Sequence, residues 1–295
     1  MDKEQKAIER LKLGVEMSQG YYGKPLVIAY SGGKDSEVLL ELARRSGIDF
    51  ELHHSHTTAD APVTVYHVRK VFREMELQGI KCNIDYHVNP EYKGGRVTMW
   101  NLIPKKMIPP TRIARYCCSV LKETGCANRM IAIGVRKFES TGRTRRESFE
   151  VIAAKKKDKI ALSDEIMLMT DNGERRRMIE KCEMKAKTVV NPIIDWTNSE
   201  VAEFFRHECK FQNPFYDQTG LTRCGCIGCP MAGKTRWTEF RIFPKYKQMY
   251  IHAFDRMLKE RERQEKETKW KNREEVFLWW MEDKNVPGQI ELELD

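Results

Sequence analysis

Leu26-Val27-Ile28-Ala29-Tyr30-Ser31-Gly32-Gly33-Lys34-Asp35-Ser36 decides the fold. Leu26 to Tyr30 is a short unbroken apolar run, the pattern of a parallel strand covered on both faces. Lys34 to Arg45 then carries Val38, Leu39, Leu42 and Ala43 at helical spacing and closes at Gly47. Between them, the two glycines let the backbone approach a ligand and take positive φ. The helix start offers free N–H groups to an anion. Lys34 adds charge, and Ser31 and Ser36 add hydroxyl donors. A plain Gly-Gly turn would need none of these polar side chains, so the segment predicts a phosphate-binding loop.

The same alternation of strand and helix continues on both sides. Residues 2–18 predict an amphipathic helix with Ile8, Leu11 and Val15 on one stripe, ended by Gly20, Gly23 and Pro25. Phe50 to Ser55 predicts a strand and Val65 to Leu77 a helix. Ile80 to Val88 alternates strictly and predicts another strand, as does Met130 to Val135. The expected fold class is α/β, a Rossmann-like doubly wound parallel sheet with a helical C-terminal region. Residues 143–187 hold 13 Lys/Arg and 9 Asp/Glu and predict a basic, partly mobile insert. Thr197 to His207 predicts a helix capped by Thr197 or Asn198. Residues 208–235 predict loop, and 236–283 a long helical tail. The expected domains are therefore 1–200, binding nucleotide, and 201–295, a cysteine-rich loop plus helices.

The 295 residues suffice for a sizeable core without disulfides. Charged residues make up 32%, mean hydropathy is -0.61, and no apolar run approaches a membrane span. The start MDKEQKAIERLK is a polar helix start and not a signal peptide, so a cytoplasmic protein with no membrane partner is expected. There, nine cysteines point to metal, catalysis or packing. The net charge of +9 is compatible with polyanionic ligands. Gly228 to Thr235 matches the Walker A expression, but it follows a cysteine-rich loop and contains Pro230, so it is expected to be a decoy.

Ser31 to Ser36 resembles the pyrophosphate (PP) loop of the adenine nucleotide α-hydrolase superfamily. Further segments resemble its phosphoadenosine-phosphosulfate reductase branch, in family order. These are Arg115-Tyr116-Cys117-Cys118 with Leu121-Lys122, then Gly134-Val135-Arg136 with Glu139 and Arg143, then Asn191-Pro192-Ile193 with Trp196 and Glu200-Val201. The resemblance implies ATP or a related adenine nucleotide held by Ser31, Gly32, Gly33, Lys34, Asp35 and Ser36, and chemistry at its α-phosphate. Asp35 would position a metal or structure the loop, and Mg²⁺ would offset the triphosphate charge. Arg112, Arg115, Lys122, Arg136 and Arg143 lie near predicted strand ends, where open α/β sheets bind ligands and where guanidinium groups grip phosphate. Solvated surface charges are the alternative. Lys34, Asp35, Arg136 and Arg143 are the candidate catalytic residues; Thr57, Arg115 and Lys122 join the candidate nucleotide site. His53, His54 and His56 are dense, but alternation along a strand divides their faces.

Cys117-Cys118 and Cys226-Ile227-Gly228-Cys229 form the informative cysteine set. A C-x-x-C loop with a distant pair holds zinc or an iron–sulfur cluster. The pattern resembles the set that holds a [4Fe–4S] cluster in adenylyl-sulfate reductases, and zinc stays open. Cys224 is an alternative to Cys118 as ligand. Cys82, Cys126, Cys182 and Cys209 read as packing. One departure stands out: the reductases carry a nucleophilic cysteine near the C-terminus, and here no cysteine follows Cys229. ATP-dependent sulfurtransferase relatives, the DNA phosphorothioation enzyme among them, have a context similar to Arg223-Cys224-Gly225-Cys226-Ile227-Gly228-Cys229. The leading expectation is iron–sulfur-dependent sulfur transfer to an acceptor. The alternatives are a sulfonucleotide reductase with a non-standard or partner-supplied thiol, and a non-catalytic nucleotide- or nucleic-acid-binding module. The expected partners are an adenine nucleotide, a nucleic acid (DNA or tRNA) as acceptor and a sulfur-donor protein, with a homodimer left open. The tail from Arg236 to Glu275 mixes 12 Lys/Arg and 8 Asp/Glu with aromatics, which suits either a solvated helix or nucleic acid.

Overall fold

The computed structural model describes residues 2–92, 94–139, 141–152, 160–162 and 187–282. The chain forms two compact units, each assembled from separate segments. The first is Met1–Ser55, Pro62–Asp85 and Thr124–Cys224; the second is His56–Ala61, Tyr86–Glu123 and Gly225–Asp295. A single cut near residue 200 therefore does not describe the units: residues 201–224 stay with the sheet, and 86–123 leave it.

The first unit is built on a seven-stranded sheet. Its strands are β1 (Leu26–Ala29), β2 (Phe50–Ser55), β3 (Cys82–Asp85), β4 (Met130–Ala132), β5 (Phe149–Ile152), β6 (Ile160–Leu162) and β7 (Lys187–Val190). Their order is β3-β2-β1-β4-β7-β5-β6. The pairs from β3 through β7 are parallel, whereas β5 and β6 add an antiparallel edge. Two strands thus occupy part of the expected basic insert, of which residues 153–159 and 163–186, Cys182 included, lie outside the described residues.

Helices α1 (Lys3–Tyr22), α2 (Lys34–Ser46) and α3 (Pro62–Glu76) link or flank the first strands. Helix α1 runs to Gly23, whose φ of 57° supplies the left-handed C-cap. Leu26, Ile28, Val38, Leu39, Leu42, Val68 and Val71 are at most 1% exposed and form the centre of the core. The chain moves from β1 outward to β3, then returns to the other side of β1 for β4. That reversal places the β1–α2 loop at a topological switch point, where sheets of this class bind ligands.

In the second unit, α4 (Met99–Lys106) starts at Thr98, which makes a capping box with Asn101. Helix α5 (Tyr116–Leu121) follows. After α6 (Asn198–His207) and α7 (Phe215–Thr219) in the first unit come α8 (Thr235–Ile242), α9 (Pro244–Arg263) and α10 (Arg273–Glu282). The expected helical tail is thus three helices. Trp100 meets Tyr250 at 5.0 Å between ring centroids, and Tyr250 meets Trp280 at 4.6 Å. Arg236 is fully buried; it donates to the carbonyls of Trp280 and Met281 at 3.0 and 3.2 Å and so caps α10. No described helix is long and apolar enough to cross a membrane.

Candidate nucleotide loop and cysteine centre

The loop Ser31–Ser36 leaves β1 and enters α2 as its sequence requires. Gly32 has φ of 75°, and a Cβ there would stand 3.1 Å from Thr64 and 3.2 Å from Val68. No side chain caps α2 at Gly33. The serines brace each other: Ser31 N donates to Ser36 Oγ at 3.2 Å, and Ser36 Oγ donates to Gly33 O at 2.8 Å. Two residues from far along the chain complete the loop. Asn213 Nδ2 donates to Gly32 O at 2.7 Å, and Lys34 N donates to the Tyr216 hydroxyl at 2.9 Å. The Lys34 ammonium lies 5.0 Å from the Tyr216 ring centroid. The sequence does not signal Asn213 or Tyr216 as loop partners, since the Asn213-Pro214 dipeptide marks only a turn.

Asp35 accepts a hydrogen bond from Arg136 Nε. Arg136 is 5% exposed, and its Nη1 also donates to Asn198 Oδ1 at 2.9 Å and to Trp196 O. Burial raises the Asp35 carboxyl, and Arg136 counteracts without reversing it. Gly134 lets these parts meet, because a Cβ there would stand 3.0 Å from both Asp35 Cβ and its carbonyl oxygen. Arg143 pairs with Glu139. The structure therefore engages both expected catalytic arginines with carboxylates. Of the Asn191-Pro192-Ile193 and Trp196 segment, Trp196 meets Arg136 through its carbonyl, whereas the Asn191 amide donates to Glu147 O and Glu150. Thr197, not Asn198, caps α6 through a capping box with Glu200.

The cysteine centre belongs to the second unit. Cys117 and Cys118 lie on α5, and Cys226 and Cys229 on the loop before α8. That loop is strapped in place: Ile227 N donates to Ala59 O at 2.7 Å, and Tyr250 OH donates to Ile227 O at 2.9 Å. Cys226 Sγ donates to Thr57 Oγ1 at 3.4 Å. Thr57 Oγ1 donates in turn to Asp60 at 2.7 Å, so Thr57 supports a thiol in the described structure. Arg115 donates to Cys118 Sγ at 3.6 Å. Lys122 feels the charges of Cys226, Asp60, Cys118 and Cys229, which hold it above the usual lysine range. Hydrogen bonding from Cys117 lowers the Cys118 thiol, aided by Arg115 and Lys122, while the same contact and burial raise Cys117. Burial pushes Cys226 up to about 11, against Lys122.

Thiolate donors beside fixed cations fit a metal centre, because the cations offset the negative charge of the sulfurs. A zinc ion with sulfurs at ~2.3 Å would bring its thiols to within about 4 Å of one another. Among the described residues, no three of these sulfurs lie within 4.8 Å of one another.

Cys224 takes a different place from the other candidates. Its Sγ is 3.2 Å from Thr64 Oγ1 and receives a long contact, 3.7 Å, from the Asn213 amide that holds Gly32. It belongs with the nucleotide loop in the first unit. Of the histidines, His54 bonds Tyr30 O at 2.9 Å, and His53 faces Asn83 and Ser55. His56 stands 4.0 Å from Asp60 in the second unit. The Walker-like segment has no strand before it, and its Gly228 N–H donates to the buried Glu239 carboxylate at 2.7 Å.

A strand–glycine loop–helix at the switch point of a largely parallel sheet is the arrangement of the doubly wound α/β class. The chain belongs to the phosphoadenosine phosphosulfate reductase domain family, whose model matches residues 25–232. It is 23% identical over 233 residues to an uncharacterised protein of Methanocaldococcus jannaschii, covering 75% of this chain; it spans only 40% of that relative's length. Among solved structures it is similar to a phosphoadenylyl-sulfate reductase from Candida auris in a phosphate complex, with TM-score 0.43, 14% identity, and coverage of 75% and 87% of the two chains. A second is the U34-tRNA thiolase NcsA from Methanococcus maripaludis with its [4Fe–4S] cluster, at TM-score 0.39, 13% identity, and 88% and 81% coverage.

Proposed function

We propose that this chain is a PP-loop enzyme that binds ATP and acts at its α-phosphate in iron–sulfur-dependent sulfur transfer to an acceptor. The observation that carries the reading is the pairing, in one chain, of a braced Ser31–Ser36 loop with four thiols set beside Arg115 and Lys122. Lys34, Ser31 and the start of α2 hold the pyrophosphate portion. An acceptor oxygen attacks the α-phosphorus and the bond to pyrophosphate breaks; a sulfide-level sulfur nucleophile from a donor then bonds to the activated acceptor atom as AMP leaves. Mg²⁺ would offset the triphosphate charge when bound. Cys117, Cys118, Cys226 and Cys229 would hold a [4Fe–4S] cluster, one thiolate per iron, which would supply a redox-active centre. Asp35 and Arg136 keep α2 and the end of β4 in register rather than touching phosphate.

The test is pyrophosphate release from ATP with candidate acceptors, using protein purified without oxygen. Turnover that falls at least a hundredfold in Lys34→Ala supports the reading. No pyrophosphate with any acceptor, alongside reduction of phosphoadenylyl sulfate, sinks it.

Cys224 favours a second reading, a sulfonucleotide reductase. A thiol within the loop's own hydrogen-bond set is suited to attack the sulfur of an adenylyl sulfate, with the adenosine phosphate leaving. Thiol-dependent sulfite release, lost in Cys224→Ser, separates this reading from the first.

A further inference from the structure

Two segments beside the cysteine centre carry no acidic residue, and the exposed Glu123 that follows the first acts on Arg115. From 107 to 122 and from 229 to 238 the sequence holds no Asp or Glu. Arg112 and Arg115 are exposed, and Ile113 between them is 80% exposed. Arg112 Nε donates to Pro230 O at 3.3 Å, and its Nη2 lies 3.3 Å from where a Cβ on Gly233 would be. The guanidinium therefore rests on the loop that carries Cys229 into α8. On that loop Met231 is 51% exposed, and Lys234 is exposed beside Gly233.

Helix α8 extends the same character. Arg236, Glu239 and Phe240 are its buried face, so its single acidic residue is turned inward onto Gly228. Lys234, Trp237 and Arg241 recur at helical spacing on the other side and are exposed, Trp237 at 42%. Lys234 and Arg241 are about 10 Å apart along the axis, with an accessible indole between them.

Cations spaced along a path, with an accessible aromatic between them and apolar side chains beside them, match a strand that offers phosphates and unpaired bases in turn. An acidic peptide would satisfy the cations but leave the indole without a stacking partner. We infer that Arg112, Arg115, Lys234, Trp237 and Arg241 form a binding surface for single-stranded nucleic acid, with Trp237 stacking on a base. As an assignment of the acceptor class, this rests on the sulfur-transfer reading above; the binding itself does not.

The experiment is fluorescence anisotropy of the anaerobically purified full chain with labelled mixed-sequence 20-mers, one RNA and one DNA, across a salt series without ATP. Four phosphate-contacting cations give a slope of log K against log salt of about -3, and Arg241→Ala lowers its magnitude by about 0.7. Trp237→Ala weakens binding roughly fivefold to a hundredfold at unchanged slope, and Trp237→Phe restores most of it. Circular dichroism confirms that each variant is folded. Binding that is absent for both 20-mers, insensitive to salt, unchanged in both alanine variants, or displaced equally well by polyglutamate overturns the proposal. Lys34→Ala separates the two readings. Loss of pyrophosphate release with intact strand binding supports both; wild-type strand binding with no pyrophosphate release from any acceptor leaves the surface standing and sinks the enzymatic reading.

Discussion

The Asp35 carboxylate and the Arg136 guanidinium meet across the backbone of Gly134, so the residue after the loop lysine is tied to the chain leaving β4. Two adjacent parallel strands therefore share one polar clamp at their ligand-binding ends. A methyl group at Gly134 would press on the Asp35 Cβ and carbonyl oxygen at 3.0 Å, so the clamp would have to shift to admit it. Gly134→Ala is expected to weaken ATP binding at least tenfold, about 1.4 kcal/mol, with a cooperative melt retained. Calorimetric titration checks it, and unchanged affinity would count against the clamp.

The cysteines divide by role. Cys226→Ser and Cys229→Ser are expected to lose the brown colour and most bound iron and sulfide, whereas Cys224→Ser keeps both. Absorption spectra with iron and sulfide analysis on anaerobic protein decide this. A colourless wild type carrying one zinc would replace the cluster with a mononuclear site.

Arg236 holds the last turn of α10 from inside the second unit. Arg236→Leu removes the donor and leaves two carbonyls without it, at about 1–3 kcal/mol per unsatisfied group. The expected result is a clearly lowered unfolding midpoint, and Arg236→Lys recovers only part of it because a lysine lacks the fork. A midpoint equal to that of wild type would refute the capping role.

Asp195 gives a pH signature. Burial pushes its carboxyl up, but Arg10, at 2.8 Å, and then Lys6 outweigh that and hold it below the usual carboxylate range. A carboxyl lowered in the folded state stabilises fully above its unfolded pKa of about 3.9 and loses that contribution as pH falls through the folded value. Asp195→Asn is therefore expected to be less stable at neutral pH and to converge on wild type in acid. Urea midpoints measured between pH 7 and 3 test this; a constant difference would exclude the Arg10–Asp195 linkage.

The strand–loop–helix and the parallel sheet were legible because apolar runs and glycines report local geometry directly. Leu26 to Tyr30 needs burial on both faces, and Gly32 needs freedom that a side chain removes. The two antiparallel strands at the far edge were not legible, since charge dominates the segment that carries them. Side-chain roles were harder still. Thr57 and the arginines have the composition of a phosphate site, but Thr57 supports Cys226, and Arg136 and Arg143 are engaged with carboxylates. Cys224 and Cys226 are two residues apart in sequence yet make their contacts in different units, a separation set by tertiary path and not by spacing.

Asn213 and Tyr216 have one further consequence, in time rather than space. Asn213 lies 181 residues after Gly32, and Tyr216 182 residues after Lys34, the residues they brace. A ribosome adding roughly 5–20 residues per second makes Ser31 to Ser36 some ten to forty seconds before it makes their support. During that interval the nascent sheet carries a loop with neither its amide clamp nor its hydroxyl partner. Competence for nucleotide thus arrives late in synthesis, and a chain released before Tyr216 would hold the whole loop sequence without the means to set it.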